Sequence, residues 1–166
     1  MISLGNILTI AKFESKVIWR NWFFRIFSVG ILFFLSMFNT FAFSLADDSP
    51  RWFNVSNSWG IPYGNMFLLS IAQAAAIIFL ASGLIKKDKK IDTNEVFFTR
   101  SISNADYVLG KALALFKLFF WLNVVILSIG LIVNLTNPTA AFNPMGYIIY
   151  PLLSSFPSIV FSNGLA

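Results

Sequence analysis

The chain has 166 residues, of which 57% are hydrophobic and 11% are charged, and its formal net charge is +5. Soluble domains have about 25% charged residues, so this composition excludes an ordinary soluble domain and is typical of a polytopic membrane protein. The absence of cysteine and histidine excludes disulfides, thiol chemistry and the commonest zinc ligands. We expect a single all-α membrane domain over residues 1–166, with no cofactor, no metal and no nucleic-acid partner.

Residues 5–24 predict an amphipathic helix that lies in the membrane interface. At 100° per residue, Lys12, Lys16 and Arg20 share one stripe of this helix. The opposite arc is apolar and consists of Ile7, Ile10, Phe13, Val17 and Phe24. Such a helix places its apolar side in the bilayer and turns its cations toward anionic lipid headgroups.

Glu14 interrupts this pattern because it projects into the apolar arc, near Ile7 and Ile18. A carboxylate in that position has two interpretations. It reaches the edge of the bilayer, where water solvates it, or it pairs with a cation such as Arg25 or Arg100.

Three apolar runs predict transmembrane helices. The first span covers residues 25–46, and the second covers residues 61–85 and is entered through Pro62, which suits a first helical turn. The third span covers residues 104–135 and begins with a polar extension, after which Lys117 can reach the headgroups with its long side chain. Each run is long enough to cross about 30 Å of hydrocarbon.

The stretch 145–166 is also uncharged and predicts a fourth span. Pro151 and Pro157 would each remove a backbone hydrogen bond from a helix there. We therefore expect the fourth span to be either kinked or broken.

The distribution of lysine and arginine predicts the orientation of the chain. Four of these residues lie in residues 1–25 and six lie in residues 86–111, whereas the loop after the first span has only Arg51 and residues 136–144 have none. Short loops rich in lysine and arginine stay on the cytoplasmic side. We expect the amino terminus and residues 86–111 to face the cytoplasm, with the chain in the cytoplasmic (inner) membrane.

Two helix-start signals lie between the second and third spans. Asp92 and Glu95 have the D-x-x-E spacing that caps a short helix, and Ser103 and Asp106 have an S-x-x-D spacing that leads into the third span. The sequence therefore predicts a short cytoplasmic helix, a break at 99–102 and then the start of the third span.

Phe97 and Phe98 are adjacent apolar residues on this short helix, and they must be buried against some surface. One interpretation is that they fold back onto the membrane or the interfacial helix. The other is that they form a docking surface for a soluble partner.

The second span contains small residues at the spacing of close helix contacts, namely Ser70, Ala72, Ala74 and Ala76. Gln73 lies among them and is suited to a hydrogen bond across a helix contact. That contact is either within the chain or a seam with a second copy of it.

Two stretches resemble the permease subunits of the type 2 ATP-binding-cassette exporters. In that family an interfacial helix carries a basic run around a glutamate, and "AKFESKVIWRN" (11–21) is similar to it. The family also has, between its second and third spans, a segment of the form E, apolar residues, T-P-I/V-S-R and then G-K, which "EVFFTRSISNADYVLGK" (95–111) resembles. The matching residues are Glu95, Thr99, Ile102, Ser103, Gly110 and Lys111, whereas Arg100, Ser101 and Asn104 depart from the pattern.

The resemblance implies a permease subunit of an ATP-driven exporter, in which residues 92–103 couple the membrane domain to a separate ATP-binding-cassette ATPase subunit. The docking residues that it implies are Glu95, Val96, Phe97, Phe98, Arg100 and Ser103. It also implies a second permease copy or half as a partner. Family permeases have more than the three or four spans predicted here, so the resemblance implies the amino-terminal portion of a longer permease.

The sequence lacks the groups that hydrolyse ATP or relay protons. No G-x-x-x-x-G-K-[ST] motif occurs, so we expect ATP hydrolysis only in a partner subunit and no enzymatic activity in this chain. Apart from Lys117, the apolar runs contain no ionisable residue, which disfavours ion-coupled transport and an embedded protease. The alternative function is a membrane adaptor that recruits a cytoplasmic protein through the same loop.

Overall fold

The computed structural model describes residues 3–44, 51–90, 103–136 and 142–165, with side-chain positions for residues 3–42, 59–83, 103–136 and 142–164. Every secondary-structure element in these ranges is helical. In chain order the elements are α1 (Leu4–Arg20), α2 (Trp22–Ser44), α3 (Arg51–Lys90), α4 (Asn104–Thr136), α5 (Pro144–Tyr150), a π-helical turn (Pro151–Ser155) and α6 (Phe156–Leu165).

Four helical stretches of the described chain are long and apolar enough to cross a membrane: Trp22–Ala42, Trp59–Gly83, Asn104–Thr136 and Pro144–Gly164. The shortest have 21 residues, which as a helix cover about 30 Å. The prediction of an all-α membrane protein is therefore confirmed. The short helix predicted between the second and third spans lies outside the described residues.

Asn21 separates α1 from α2. Its backbone is extended, with φ −67° and ψ 125°, and its N–H donates to the Ile18 carbonyl at 3.0 Å. Its side-chain Oδ1 accepts the N–H of Phe23 at 2.9 Å, which satisfies one of the free donors at the start of α2. The predicted boundary between residues 24 and 25 is thus misplaced, because this asparagine cap ends the first helix at Arg20.

Pro62 lies inside a helix and does not begin one, contrary to prediction. Helix α3 has 40 residues, or about 60 Å, so it extends well beyond the hydrocarbon of a bilayer. Pro62 is buried, and a Cβ atom added to Gly146 would lie 3.4 Å from its Cγ. The proline ring therefore packs against α5 at a position that has no side chain.

The fourth span is helical through both of its prolines. Pro151 begins the π-helical turn, and the N–H of Phe156 donates to the Pro151 carbonyl, five residues earlier. Wider turns of this kind adjust the hydrogen bonding of a helix where proline removes a donor. The span is therefore locally distorted and unbroken, so of the two expected alternatives, a kinked or a broken helix, the broken one was wrong.

Helix α4 lies at the centre of the bundle and contacts α1, α2, α3 and α6. Phe119 is fully buried and meets Phe24 of α2 edge to face, with ring centroids 5.8 Å apart. Large apolar side chains such as Phe33, Trp121 and Phe161 cover the outer surface. Lipid tails solvate such a surface, so the helices associate through close packing and hydrogen bonds.

Gly110 permits a close contact between α1 and α4. A Cβ atom added there would lie 2.6 Å from Cγ2 of Ile10 and 3.2 Å from the carbonyl oxygen of Ile7. Real Cβ atoms essentially never come as close as 2.6 Å to another atom. Ile10 is branched at its Cβ, so its side chain cannot rotate out of the way. The absence of a side chain at this position therefore fixes the distance between the two helices.

We expect Gly110→Ala to destabilise the protein by about 1–3 kcal/mol, because one added methyl group overpacks the contact with Ile10. Gly30→Ala in α2 is the matched control, since a Cβ there meets nothing within 4 Å. The control should be neutral or stabilising by up to about 1 kcal/mol. The free energy of unfolding in detergent micelles measures both, and equal values for the two variants would contradict the packing.

Candidate functional site

The start of α4 is held to the start of α1 by a buried carboxylate. Ser103 caps α4 as predicted: its Oγ accepts the N–H of Ala105 at 3.2 Å. Asp106 is only 1% exposed, and its Oδ1 accepts the backbone N–H of Ser3 at 3.0 Å. The S-x-x-D spacing thus serves two helices, because its serine caps α4 while its aspartate binds the residue that precedes α1.

Glu14 and Lys111 form a second link between α1 and α4. Glu14 Oε1 lies 4.0 Å from Lys111 Nζ, and these side chains are 12% and 13% exposed. The Lys111 ammonium also lies 4.4 Å from the centre of the Tyr107 ring, within the range of a cation–π contact. We call Ser3, Glu14, Asp106 and Lys111 the junction cluster.

Of the two interpretations of Glu14, the structure shows the paired one, with a partner that was not predicted. Arg25 uses its Nε to donate to the Trp19 carbonyl at 3.1 Å, so the proposed Arg25 pairing was wrong. Arg100 lies outside the described residues. Sequence spacing along α1 cannot identify Lys111, because the pair depends on how α1 lies against α4.

The apolar arc of α1 is divided between protein and membrane. Ile7 and Ile18 are buried inside the bundle, whereas Phe13 is 67% exposed. Helical periodicity identifies an apolar face but cannot tell a helix partner from lipid, so the prediction that this whole arc enters the bilayer was wrong for Ile7 and for Phe24, which is 2% exposed. The cations of the opposite stripe, Lys12, Lys16 and Arg20, are exposed as predicted.

Five of the six predicted docking residues lie outside the described residues, namely Glu95, Val96, Phe97, Phe98 and Arg100. Ser103, the last residue of that set, is described and is the N-cap of α4. The predicted coupling segment at 92–103 therefore leads directly into the junction cluster.

A second polar site lies among the apolar spans, where Gln73 of α3, Asn123 of α4 and Ser155 of the π-helical turn are each fully buried. Gln73 Nε2 donates to the carbonyl and the hydroxyl of Ser155, each at 3.0 Å. Asn123 Nδ2 donates to Gln73 Oε1 at 3.0 Å, and Ser155 Oγ donates to Asn123 Oδ1. We call these three residues the amide triad. It confirms the expected hydrogen bond of Gln73 across a helix contact.

Three serines extend the triad along the contact between α3 and the fourth span. Ser70 Oγ lies 2.9 Å from Ser154 Oγ, and Ser158 Oγ donates to the Ser70 carbonyl at 3.1 Å. The small residues predicted for helix packing lie on the same helix: Ala76 is buried, and Ala72 and Ala74 are half-buried. Ser70 and Gln73 thus make their contacts within one chain.

Asn123 and Ser155 were not singled out in the sequence, although one signal was available. A carboxamide in the middle of an apolar run is costly to bury unless it is hydrogen-bonded, so Asn123 could have been matched with Gln73 of another span. The third partner was harder to find. Ser155 enters the triad through the π-helical turn, which the spacing of residues in the fourth span does not predict.

Within the described ranges, no three histidine, cysteine, aspartate or glutamate residues come together as a metal site would require. No family model, no curated protein and no solved structure matches the chain. The two polar sites above are therefore the features on which a functional assignment can depend.

We expect Asn123→Leu to destabilise the bundle by about 1–3 kcal/mol, because it leaves Gln73 Oε1 and the Ser155 hydroxyl without their buried partner. Ser128→Ala is the control on the same helix, since Ser128 is exposed and bonds only its own helix at Val124. Its effect should stay within about 0.5 kcal/mol. Steric trapping in bicelles measures both, and a neutral Asn123→Leu would show that the triad does not hold the spans together.

The junction cluster predicts a rescue by charge exchange. Glu14→Lys places a second cation beside Lys111 and should cost about 1–2 kcal/mol of unfolding free energy, and adding Lys111→Glu should recover most of that loss. Lys12→Glu reverses an exposed charge on the same helix and serves as the control. Protease cleavage within α1 reports its release from α4. If the double variant is cleaved as fast as Glu14→Lys, the ion pair does not hold α1 in place.

Proposed function

We propose that the chain is a membrane-spanning permease subunit of an ATP-driven exporter, and that residues 92–103 bind a separate ATP-binding-cassette ATPase subunit. The observation that carries this proposal is the junction cluster. The predicted coupling segment ends at Ser103, and within the next eight positions Asp106 binds Ser3, just before α1, and Lys111 lies beside Glu14 of α1. A force on the segment therefore acts on α1 and α4 together.

The chemistry of the described residues supports a transport role over a catalytic one. The buried polar side chains inside the spans are mainly serine and carboxamide groups, which donate and accept hydrogen bonds but do not exchange protons near neutral pH. Work on a substrate would then need energy from elsewhere, and the absence of a phosphate-binding loop in the sequence supports the proposal that a partner hydrolyses the ATP.

In this mechanism the ATPase subunits close on ATP and move the segment at residues 92–103. Helix α4 carries the displacement into the bundle, because Asp106 and Lys111 of the junction cluster lie on the same continuous helix as Asn123. Lys111 and Asn123 are separated by about 18 Å along its axis. The amide triad then transmits the movement to α3 and the fourth span, which open and close a path against a second permease copy or half.

The placement in the cell follows from the same proposal. The segment at residues 92–103 must face the compartment that contains ATP, so the amino terminus lies in the cytoplasm and the chain crosses the cytoplasmic membrane. The excess of lysine and arginine in residues 1–25 and 86–111 supports this orientation. The exposed Lys12, Lys16 and Arg20 would then lie against anionic lipid headgroups.

We expect the tagged chain to copurify an ATP-binding-cassette ATPase, and the double variant Phe97→Ala, Phe98→Ala to lose at least half of it because an apolar docking surface is removed. Phe33→Ala is the control, since Phe33 is 72% exposed on α2 and does not belong to the segment. The ATPase rate of the reconstituted complex should fall in parallel. No ATPase in the pull-down, together with unchanged rates in the double variant, would overturn the proposal. Recovery of a protein that is not an ATPase, lost in the same variant, would favour the adaptor function.

A further inference from the structure

The joint between α1 and α2 combines two cations with two indole rings. Arg20 is the last residue of α1, Arg25 lies in the first turn of α2, and both are exposed. Trp19 is 60% exposed and Trp22 is 72% exposed. We call Trp19, Arg20, Trp22 and Arg25 the elbow cluster. The first span begins at Trp22, so this cluster lies at the membrane surface.

A hydrogen bond fixes the Arg25 side chain at this joint. Its Nε donates to the Trp19 carbonyl at 3.1 Å. Trp19 is followed directly by Arg20, so the bond places the Arg25 guanidinium beside the backbone of Arg20. A guanidinium has five N–H donors in one rigid plane. The protein uses the Nε donor to orient this plane, and the Nη donors are left for a ligand.

The positive charge of the elbow cluster is not compensated within the described part of the chain. The described side chains include two carboxylates, and both are engaged elsewhere: Glu14 lies beside Lys111, and Asp106 accepts the N–H of Ser3. The first turn of α2 has no acidic residue, although Arg25 lies there at the positive end of the helix dipole, where a cation is unfavourable. An anion at the elbow cluster would remove this cost.

The position of the elbow cluster selects the kind of anion. Indole rings prefer the level of the lipid headgroups, and Trp19 and Trp22 are both exposed there. The anions of that layer are the phosphodiester groups of phospholipids, and a guanidinium binds phosphate oxygens through two parallel hydrogen bonds. A zwitterionic lipid brings a cation of its own, which Arg20 and Arg25 repel. A phospholipid with a net negative charge therefore fits best.

We propose that the elbow cluster binds one anionic phospholipid through its phosphate group. Arg25 donates to the phosphate oxygens from its Nη groups, Arg20 adds a second positive charge, and the exposed indoles contact the lipid. The stripe of Lys12 and Lys16 differs from this site, because no hydrogen bond to a described residue fixes either lysine and its attraction for lipid is diffuse. The site depends neither on the ATPase partner nor on residues 92–103.

Native mass spectrometry of the full chain in detergent micelles counts the lipids that bind. Phosphatidylglycerol and phosphatidylcholine with the same acyl chains are titrated separately. The first phosphatidylglycerol should bind about fivefold more tightly than the first phosphatidylcholine, and excess inorganic phosphate should not displace it, because phosphate alone makes no contact with the indoles. Equal affinities for the two lipids would overturn the proposal. Displacement by inorganic phosphate would also overturn it, in favour of a soluble anion.

Variants then test the role of Arg25. Arg25→Gln should raise the dissociation constant of phosphatidylglycerol about fivefold, the effect of one cation at the headgroups, and leave that of phosphatidylcholine unchanged. Lys12→Gln removes an exposed cation of α1 outside the elbow cluster and should change neither value. Arg25→Lys keeps the charge but loses the planar fork, so it should lose most of the same affinity.

Two outcomes would contradict the site. An equal loss of phosphatidylglycerol binding in Lys12→Gln and Arg25→Gln would show a diffuse attraction to all the cations of this region. Full affinity in Arg25→Lys would show that the fixed guanidinium is not needed. Circular dichroism checks the helical content of each variant, and Arg25→Lys decides alone if Arg25→Gln does not fold.

Discussion

The hydrogen bonds among Gln73, Asn123 and Ser155 join three apolar helices at one level of the bundle, and the rest of the fold depends on them. Lipid tails are as apolar as the side chains that face them, so burial alone does not bring membrane helices together. A buried carboxamide without a partner is costly, and this cost gives each span a preferred neighbour and register. The triad also explains the π-helical turn, which brings Ser155 to Asn123 and Gln73.

Helix α4 connects this level of the bundle to its other end. Asp106 and Lys111, near the start of α4, bind Ser3 and Glu14, and Gly110 lets α1 approach closely between those two contacts. The amphipathic helix is therefore part of the bundle as well as a surface for lipid. One helix thus contributes side chains to both polar sites, which is the arrangement that a permease driven from residues 92–103 would need.

The sequence predicted the four spans well, because long uncharged runs have few alternatives in a membrane protein. It predicted the ends of helices less well. Asn21 lies at the end of α1 and caps the start of α2, but nothing in the sequence distinguishes it from an asparagine that caps no helix. Pro62 lies inside α3 and packs on Gly146 of another helix, a contact that the sequence does not show. The Ser103 cap was predictable, since its contact is local.

Long-range partners could not be predicted from one sequence. Glu14 was recognised as a carboxylate in an apolar arc, with solvation at the bilayer edge and an ion pair both left open. Its partner Lys111 is 97 positions away, and only the packing of α1 on α4 selects it. The same limit applies to the pairs Asn39–Asn65 and Asn134–Tyr147, whose members come from four different helices. In both sites the residue types were visible and the geometry that joins them was not.

The docking of α1 on α4 is the central claim, and a distance measurement in lipid tests it most directly. The chain has no cysteine, so nitroxide labels can be attached to cysteines introduced at Leu8 and Leu113, both of which are exposed. Pulsed electron paramagnetic resonance in nanodiscs should give a single narrow distance between the labels. A broad distribution, as for a helix that moves freely on the membrane surface, would contradict the account.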